Sequence, residues 1–154
     1  MMNNAQTNAA FPKYSDTASS SAYIVKSISP TRILITENAY AWSQPVKKQL
    51  EELIRLPIGW DGYQGISVSF ENANFALRIL ENISGLENRA PQVVPGTTGD
   101  LQIEWHTLKG DIELHVRAPN NVHAWRDIAG SNADGEEIAL TNDFTVVARW
   151  IKEI

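Results

Sequence analysis

The sequence predicts an α+β fold, an antiparallel β-meander sheet of about four to six strands with three helices packed mainly on one face. Three observations carry this prediction. Between residues 45 and 83 the apolar residues recur twice at helical spacing. From Pro91 onward the period drops to two, in short runs broken by Gly, Asn and Asp. A last helical period closes the chain. Helices and strands segregated in this way belong to the α+β class, because a parallel sheet needs strand and helix in alternation.

Residues 1–21 are rich in Asn, Ala, Ser and Thr and hold no sustained apolar period. They are expected to form a flexible tail on which Phe11 and Tyr14 can dock locally. Residues 22–154 are expected to form a single α+β domain. Ala22–Ile28 and Arg32–Thr36 read as strands, with Ser29-Pro30 as the turn between them. Ser43 or Gln44 is placed to cap a first helix, with Pro45 in its first turn, where a missing N–H costs little. Val46, Leu50, Leu53 and Ile54 share its apolar face, and Pro57 ends it. Ser69 is placed to cap a second helix, with Phe70 near its start. Ala73, Ala76, Leu77, Leu80 and Ile83 line its buried side, and Gly85 is its stop.

Gln92–Val94 is short and β-like. Asp100–His106 and Asp111–Arg117 alternate cleanly around Lys109-Gly110, which predicts a hairpin. Leu101, Ile103, Trp105, Ile112, Leu114 and Val116 point to the core. Gln102, Glu104, His106, Glu113, His115 and Arg117 point to water. Asn120-Asn121 turns into a third strand, Val122–Ile128. Ala133-Asp134-Gly135 turns into a short last strand, Glu137–Leu140. Thr141 or Asn142 is expected to cap a final helix whose face holds Phe144, Val147, Ala148 and Ile151.

At 154 residues the chain is long enough to bury a real core, and 43% of its residues are hydrophobic. The net charge of −5 disfavours direct nucleic-acid binding, which draws on a lysine and arginine excess. With no cysteine there are no disulfides, thiolate metal sites or cysteine nucleophile, in keeping with a cytoplasmic setting. No apolar run reaches the roughly 20 residues of a membrane span. The N-terminus lacks the basic start and apolar core of a signal peptide.

The segment Leu56-Pro57-Ile58-Gly59-Trp60-Asp61-Gly62-Tyr63-Gln64-Gly65 lies between the two helical patterns. It combines three glycines, a proline, two aromatics and one carboxylate, more than a plain surface loop requires. Asp61 reads as a partner-binding carboxylate, a general base, or a turn aspartate that accepts backbone N–H bonds. Trp60 and Tyr63 read either as a recognition patch or as packing between helices and sheet.

This loop and the meander resemble a group of small bacterial proteins. Their pattern is G-W-D-G-Y-x-(A/G), a helix, P-x-V-x-P, G-x-(I/L)-x-(I/L)-E-W, a hairpin and a short acidic-capped helix. Here the pattern stands as Gly59 to Gly65, Pro91-Gln92-Val93-Val94-Pro95, and Gly99-Asp100-Leu101-Gln102-Ile103-Glu104-Trp105. The resemblance covers roughly Leu50 to Ile154. It implies an antitoxin-like or accessory partner in mobile and defence loci, and it supplies no catalytic residue.

Glu104, His106, Glu113, His115 and Arg117 are the one place where acid, imidazole and guanidinium are expected to converge, with His123 extending the face. Such a face suits a protein partner, acid–base or metal chemistry, or plain solvation. No Ser–His–Asp order, phosphate loop or H-E-x-x-H helix occurs, and Gly96-Thr97-Thr98-Gly99 lacks the lysine and helix of a phosphate site. Asp134, Glu136, Glu137, Asp143 and Glu153 make an acidic C-terminal region suited to solvation or to a basic groove on a partner.

The expectation is therefore a protein-binding inhibitor or antitoxin-like protein, with no cofactor, no metal and no catalytic set. Its partner would be a toxin or a defence-complex subunit. Trp60, Asp61, Tyr63, Glu104, Glu113, His115 and Arg117 are the partner-binding candidates. The alternatives are a phage-encoded inhibitor of a CRISPR or other bacterial defence complex, and a small acid–base enzyme using Glu104, Glu113 and His115.

Overall fold

A computed structural model describes Leu34, residues 40–85 and residues 88–154, all within the unit Arg32–Ile154. The two strands expected at Ala22–Ile28 and Arg32–Thr36 lie outside the described residues, apart from Leu34, which is buried.

Helix α1 is Ser43–Leu53 and α2 is Phe70–Ile83. The strands are β1 (Gln92–Pro95), β2 (Leu101–Thr107), β3 (Gly110–Ala118), β4 (Asn121–Ile128) and β5 (Glu136–Leu140), and α3 is Thr145–Glu153. The strands pair antiparallel in sequence order as one meander, β1-β2-β3-β4-β5. The α+β architecture expected from the two periods is the one observed.

The alternation in β2 and β3 decides which side of the sheet is covered. Leu101, Ile103, Trp105, Ile112, Leu114 and Val116 are all buried, together with Val93, Val122, Ala124 and Leu140. All three helices contribute to the same core, through Val46 and Leu50 of α1, Ala76, Leu77 and Leu80 of α2, and Val147, Trp150 and Ile151 of α3. Phe75 meets Phe144 edge-on at 6.2 Å, which joins α2 to the start of α3. Strand β1 is a sheet edge in the described fold. It is short, ends in Pro95, and has its Val93 carbonyl taken by Gln49 Nε2 of α1 at 2.8 Å.

The helix starts differ in part from expectation. Ser69 caps α2 as expected, its hydroxyl accepting from Asn72 N at 3.1 Å. Neither Ser43 nor Gln44 caps α1. Trp42 holds that position, and the Ser43 hydroxyl donates backward to Tyr40 O at 2.8 Å. Nor does Thr141 or Asn142 cap α3. Phe144 holds that position, and Asp143 just before it accepts through Oδ1 from Thr145 N at 2.9 Å and from the Thr145 hydroxyl at 2.6 Å. That hydroxyl and then the amide hold the Asp143 carboxyl below its ordinary value. The turns also shift by a residue. Asn120, at φ 61°, closes the β3–β4 turn, and Asn121 already belongs to β4. The pairing of β3 with β4 shifts between Val116 and Ala118, so Arg117 is an extra residue that bends this corner.

Candidate functional site

The glycine loop is built by its own hydrogen bonds. Gly59 N donates to Gly65 O at 2.8 Å, Gly62 N to Gly59 O at 2.9 Å, and Trp60 N to Pro57 O at 3.2 Å. Asp61 Oδ1 accepts from Tyr63 N and Gly65 N, both at 2.9 Å. Those bonds, Tyr63 first and then Gly65, hold the Asp61 carboxyl below its ordinary value. Asp61 is therefore a turn aspartate that shapes the loop. Trp60 is half-buried, and its indole N–H donates to Ile66 O at 3.0 Å, inside the same segment. Two of the glycines have backbone angles that favour glycine, φ 78° at Gly59 and 84° at Gly62. At Gly65 the constraint is space, since a Cβ would lie 2.8 Å from Asp61 Cγ.

The loop holds two large side chains away from the core. Tyr63 is 87% exposed and Ile58 is 84% exposed. Of the two aromatics, Tyr63 stands in solvent, and Trp60 is half-buried with its polar tip bonded beside its own loop.

The loop joins one end of the sheet. Ile66 N donates to Thr97 O at 3.0 Å, and Ser69 N donates to Gly99 O at 2.9 Å. The buried Asn72 side chain donates to Gly99 O at 2.8 Å and to Arg117 O at 3.3 Å, tying α2 to the same corner. In this corner Asp100 Oδ1 accepts from Thr98 N at 3.1 Å and from the Thr98 hydroxyl at 2.7 Å. A carboxylate of the chain itself thus takes up the Thr98 donors of the 96–99 turn. Asp100 Oδ2 faces His115 Nε2 at 2.5 Å, and Arg117 Nε donates to His115 Nδ1 at 3.5 Å. An ionised carboxylate only accepts, so the Nε2 that faces Asp100 carries a ring hydrogen. Burial raises the pKa of Asp100, but the bonds from His115 and Thr98 prevail and bring it to about 2.

The outer hairpin face divides into two groups. Glu104 and Glu113 are directly opposite each other in the β2–β3 register. Glu104 pairs with His106 Nε2 at 3.1 Å, while His106 Nδ1 faces Asp111 Oδ1 at 2.9 Å. Ionised carboxylates only accept, so the ring satisfies both neighbours as the imidazolium. Glu104 first and Asp111 second raise its pKa. His115 turns instead to Asp100, and His123 Nε2 pairs with Glu137 at 3.0 Å from the next strands. Glu104, Glu113 and His115, expected to act together, therefore share a face but no hydrogen bond joins them. Among the described residues no three His, Asp or Glu side chains converge in a metal-binding group.

The structure brings Trp60, Asp61, Tyr63, His115 and Arg117 to one end of the sheet and leaves Glu104 and Glu113 in the middle of the face. Sequence reasoning missed Ile58, Asp100 and Asp111. The last two carried a signal: Asp100 is two residues from Gln102, the register partner of His115, and Asp111 is the register partner of His106. Among the described residues no helix is long and apolar enough to cross a membrane. No protein-family model, curated protein or solved structure matches this chain.

Proposed function

We propose that this protein acts by binding another protein through the 58–65 loop, in an inhibitor or antitoxin-like role. The observation that carries this reading is the display of Tyr63 and Ile58 on a backbone already locked by its own bonds. Exposing two large apolar side chains gains nothing for folding. A tyrosine on a backbone ordered in advance gives up only side-chain freedom on binding, as interface anchors do. The resemblance to antitoxin-like and defence-accessory proteins supports the same reading. The mechanism is occlusion: the loop and the adjacent Arg117 corner cover a functional surface of a toxin or a defence-complex subunit. A phage-encoded inhibitor of a defence complex would use the same contacts on a different target. The acid–base alternative has less support, because His115 is engaged by Asp100 and not by Glu104 or Glu113.

The test is capture from the native host with the wild-type chain and with Tyr63→Ala in parallel, read by mass spectrometry. A partner held by the wild type and lost by the variant is expected. The purified partner's activity should then fall on adding the wild type and not on adding the variant. Equal capture by both proteins would remove the loop from this account.

A further inference from the structure

A second site lies at the other end of β2. The seven residues of β2 span about 20 Å at the usual strand rise, which separates the two ends. There the β2–β3 turn, the Asn88–Arg89 segment and the end of α3 enclose a cleft of about 600 Å³. That volume is in the range of small-molecule sites. Its lining is mixed: Trp105 and Ile151, both largely buried, and Ile154 supply the apolar part, Asn88 and Thr107 add polar groups, and Leu108 stands 99% exposed at the rim. Trp105 is fixed there, its indole N–H donating to Arg89 O at 3.3 Å. Around this wall stand Arg89, Lys109 and Lys152. Among the described residues none of these three cations has a carboxylate within ion-pair distance. They gather three positive charges around one cleft in a chain of net charge −5.

We infer that this cleft binds a small organic anion, one acidic group on an aromatic or branched apolar body. The apolar part would lie against Trp105, Ile151 and Leu108, and the acidic group would reach Lys109, Lys152 or Arg89. Neither half of such a ligand suffices alone. An inorganic anion would make no contact with Trp105, Ile151 or Leu108, and a neutral hydrocarbon would gain nothing from the three exposed cations, which stay hydrated. The inference does not depend on the loop at the other end of β2.

The test uses 8-anilinonaphthalene-1-sulfonate as the anionic probe and N-phenyl-1-naphthylamine as its neutral counterpart, on the full chain. We expect saturable one-to-one binding of the sulfonate. The Lys109→Gln/Lys152→Gln double variant should weaken it about tenfold or more, because it removes two charges from the site. The neutral probe should bind more weakly and be insensitive to the substitutions. Both lysines are exposed, so the variant keeps its near-ultraviolet circular dichroism. In ¹H–¹⁵N spectra the Trp105 indole signal should shift on titration while the Trp60 indole signal stays in place. Three results would overturn the inference: no saturable binding, equal binding by the double variant, or an unmoved Trp105 signal. Loss of sulfonate binding with partner capture intact would fault the cleft and leave the loop reading untouched.

Discussion

Asp100 and His106 are single residues whose surroundings set opposite pH behaviour. Asp100 titrates at about 2, against 3.8 for an ordinary aspartate. Its contribution to stability is full above the ordinary value and is lost as pH falls through the folded one. The gap in thermal midpoint between wild type and Asp100→Asn should therefore be wide near neutral pH and close between about pH 4 and about pH 2. A gap that stays constant over that window would mean that the carboxylate charge is not what the His115 and Thr98 bonds stabilise. His106 has the opposite sign. Its raised pKa makes a contribution that is present below 6.5 and lost as pH rises through the higher folded value. His106→Asn should be slightly destabilising at acidic pH and close to neutral in alkali. The effect is small because the ring is half-exposed and water screens its pairs. At the same scale, Tyr63→Ala should leave the melting curve nearly unchanged, within the surface range of about ±0.5 kcal/mol. It should weaken partner binding by about 2 kcal/mol or more, as loss of an interface anchor does. A variant that melts early would show that Tyr63 supports the fold.

Among the elements, the 58–65 loop depends most on individual residues. Gly62 has φ 84°, and nothing lies within 4 Å of where a Cβ would stand. A substitution there meets backbone strain and no collision, so Gly62→Val should cost about 1–2 kcal/mol. At Gly65 the Cβ itself would meet the Asp61 carboxylate. Gly65→Ala should then displace Asp61 from the Tyr63 and Gly65 amides and weaken partner binding even where folding survives. Denaturant melts and a binding titration on the same preparations separate the two effects. Helix α2 depends on its cap, and Ser69→Ala should cost about 1 kcal/mol in the same melts.

At the scale of the whole molecule, one guanidinium links three elements. Arg126 of β4 donates from Nε to Glu136 of β5 at 2.8 Å, pairs with Glu153 of α3, and lies 4.9 Å from the centroid of the Trp150 ring. The two glutamates are well exposed, so removing the cation leaves them solvated. Arg126→Ala should cost about 1–2 kcal/mol, mostly from the lost stacking and stem packing. Leu114→Ala should cost more, about 2–5 kcal/mol, because Leu114 is fully buried at the centre of the sheet. A reversal of that order in chemical denaturation would mean that the α3 contact, and not the sheet core, limits stability.

Fold class, the buried face of the sheet and most element positions were legible from the order of residues alone. The reason is local: side chains alternate along a strand and recur at 3.6 residues along a helix, so Leu101, Ile103 and Trp105 declare one face with no knowledge of their neighbours. The Ser69 cap was legible for the same reason, since it acts within three residues. The exposure of Tyr63 was not legible, because identical loop residues suit either a plug or an anchor until the core is closed without them. Asp143 at the start of α3, and Trp42 rather than Ser43 at the start of α1, depend on how the chain enters each helix, which composition does not encode. The pairing of His115 with Asp100, and not with Glu104 or Glu113, needs the exact register and the direction of each side chain. The cleft at Trp105 joins Arg89, Lys109 and Lys152, residues far apart in the chain that share no motif. Only the folding of α3 and the 88–89 segment against the β2–β3 turn brings them together.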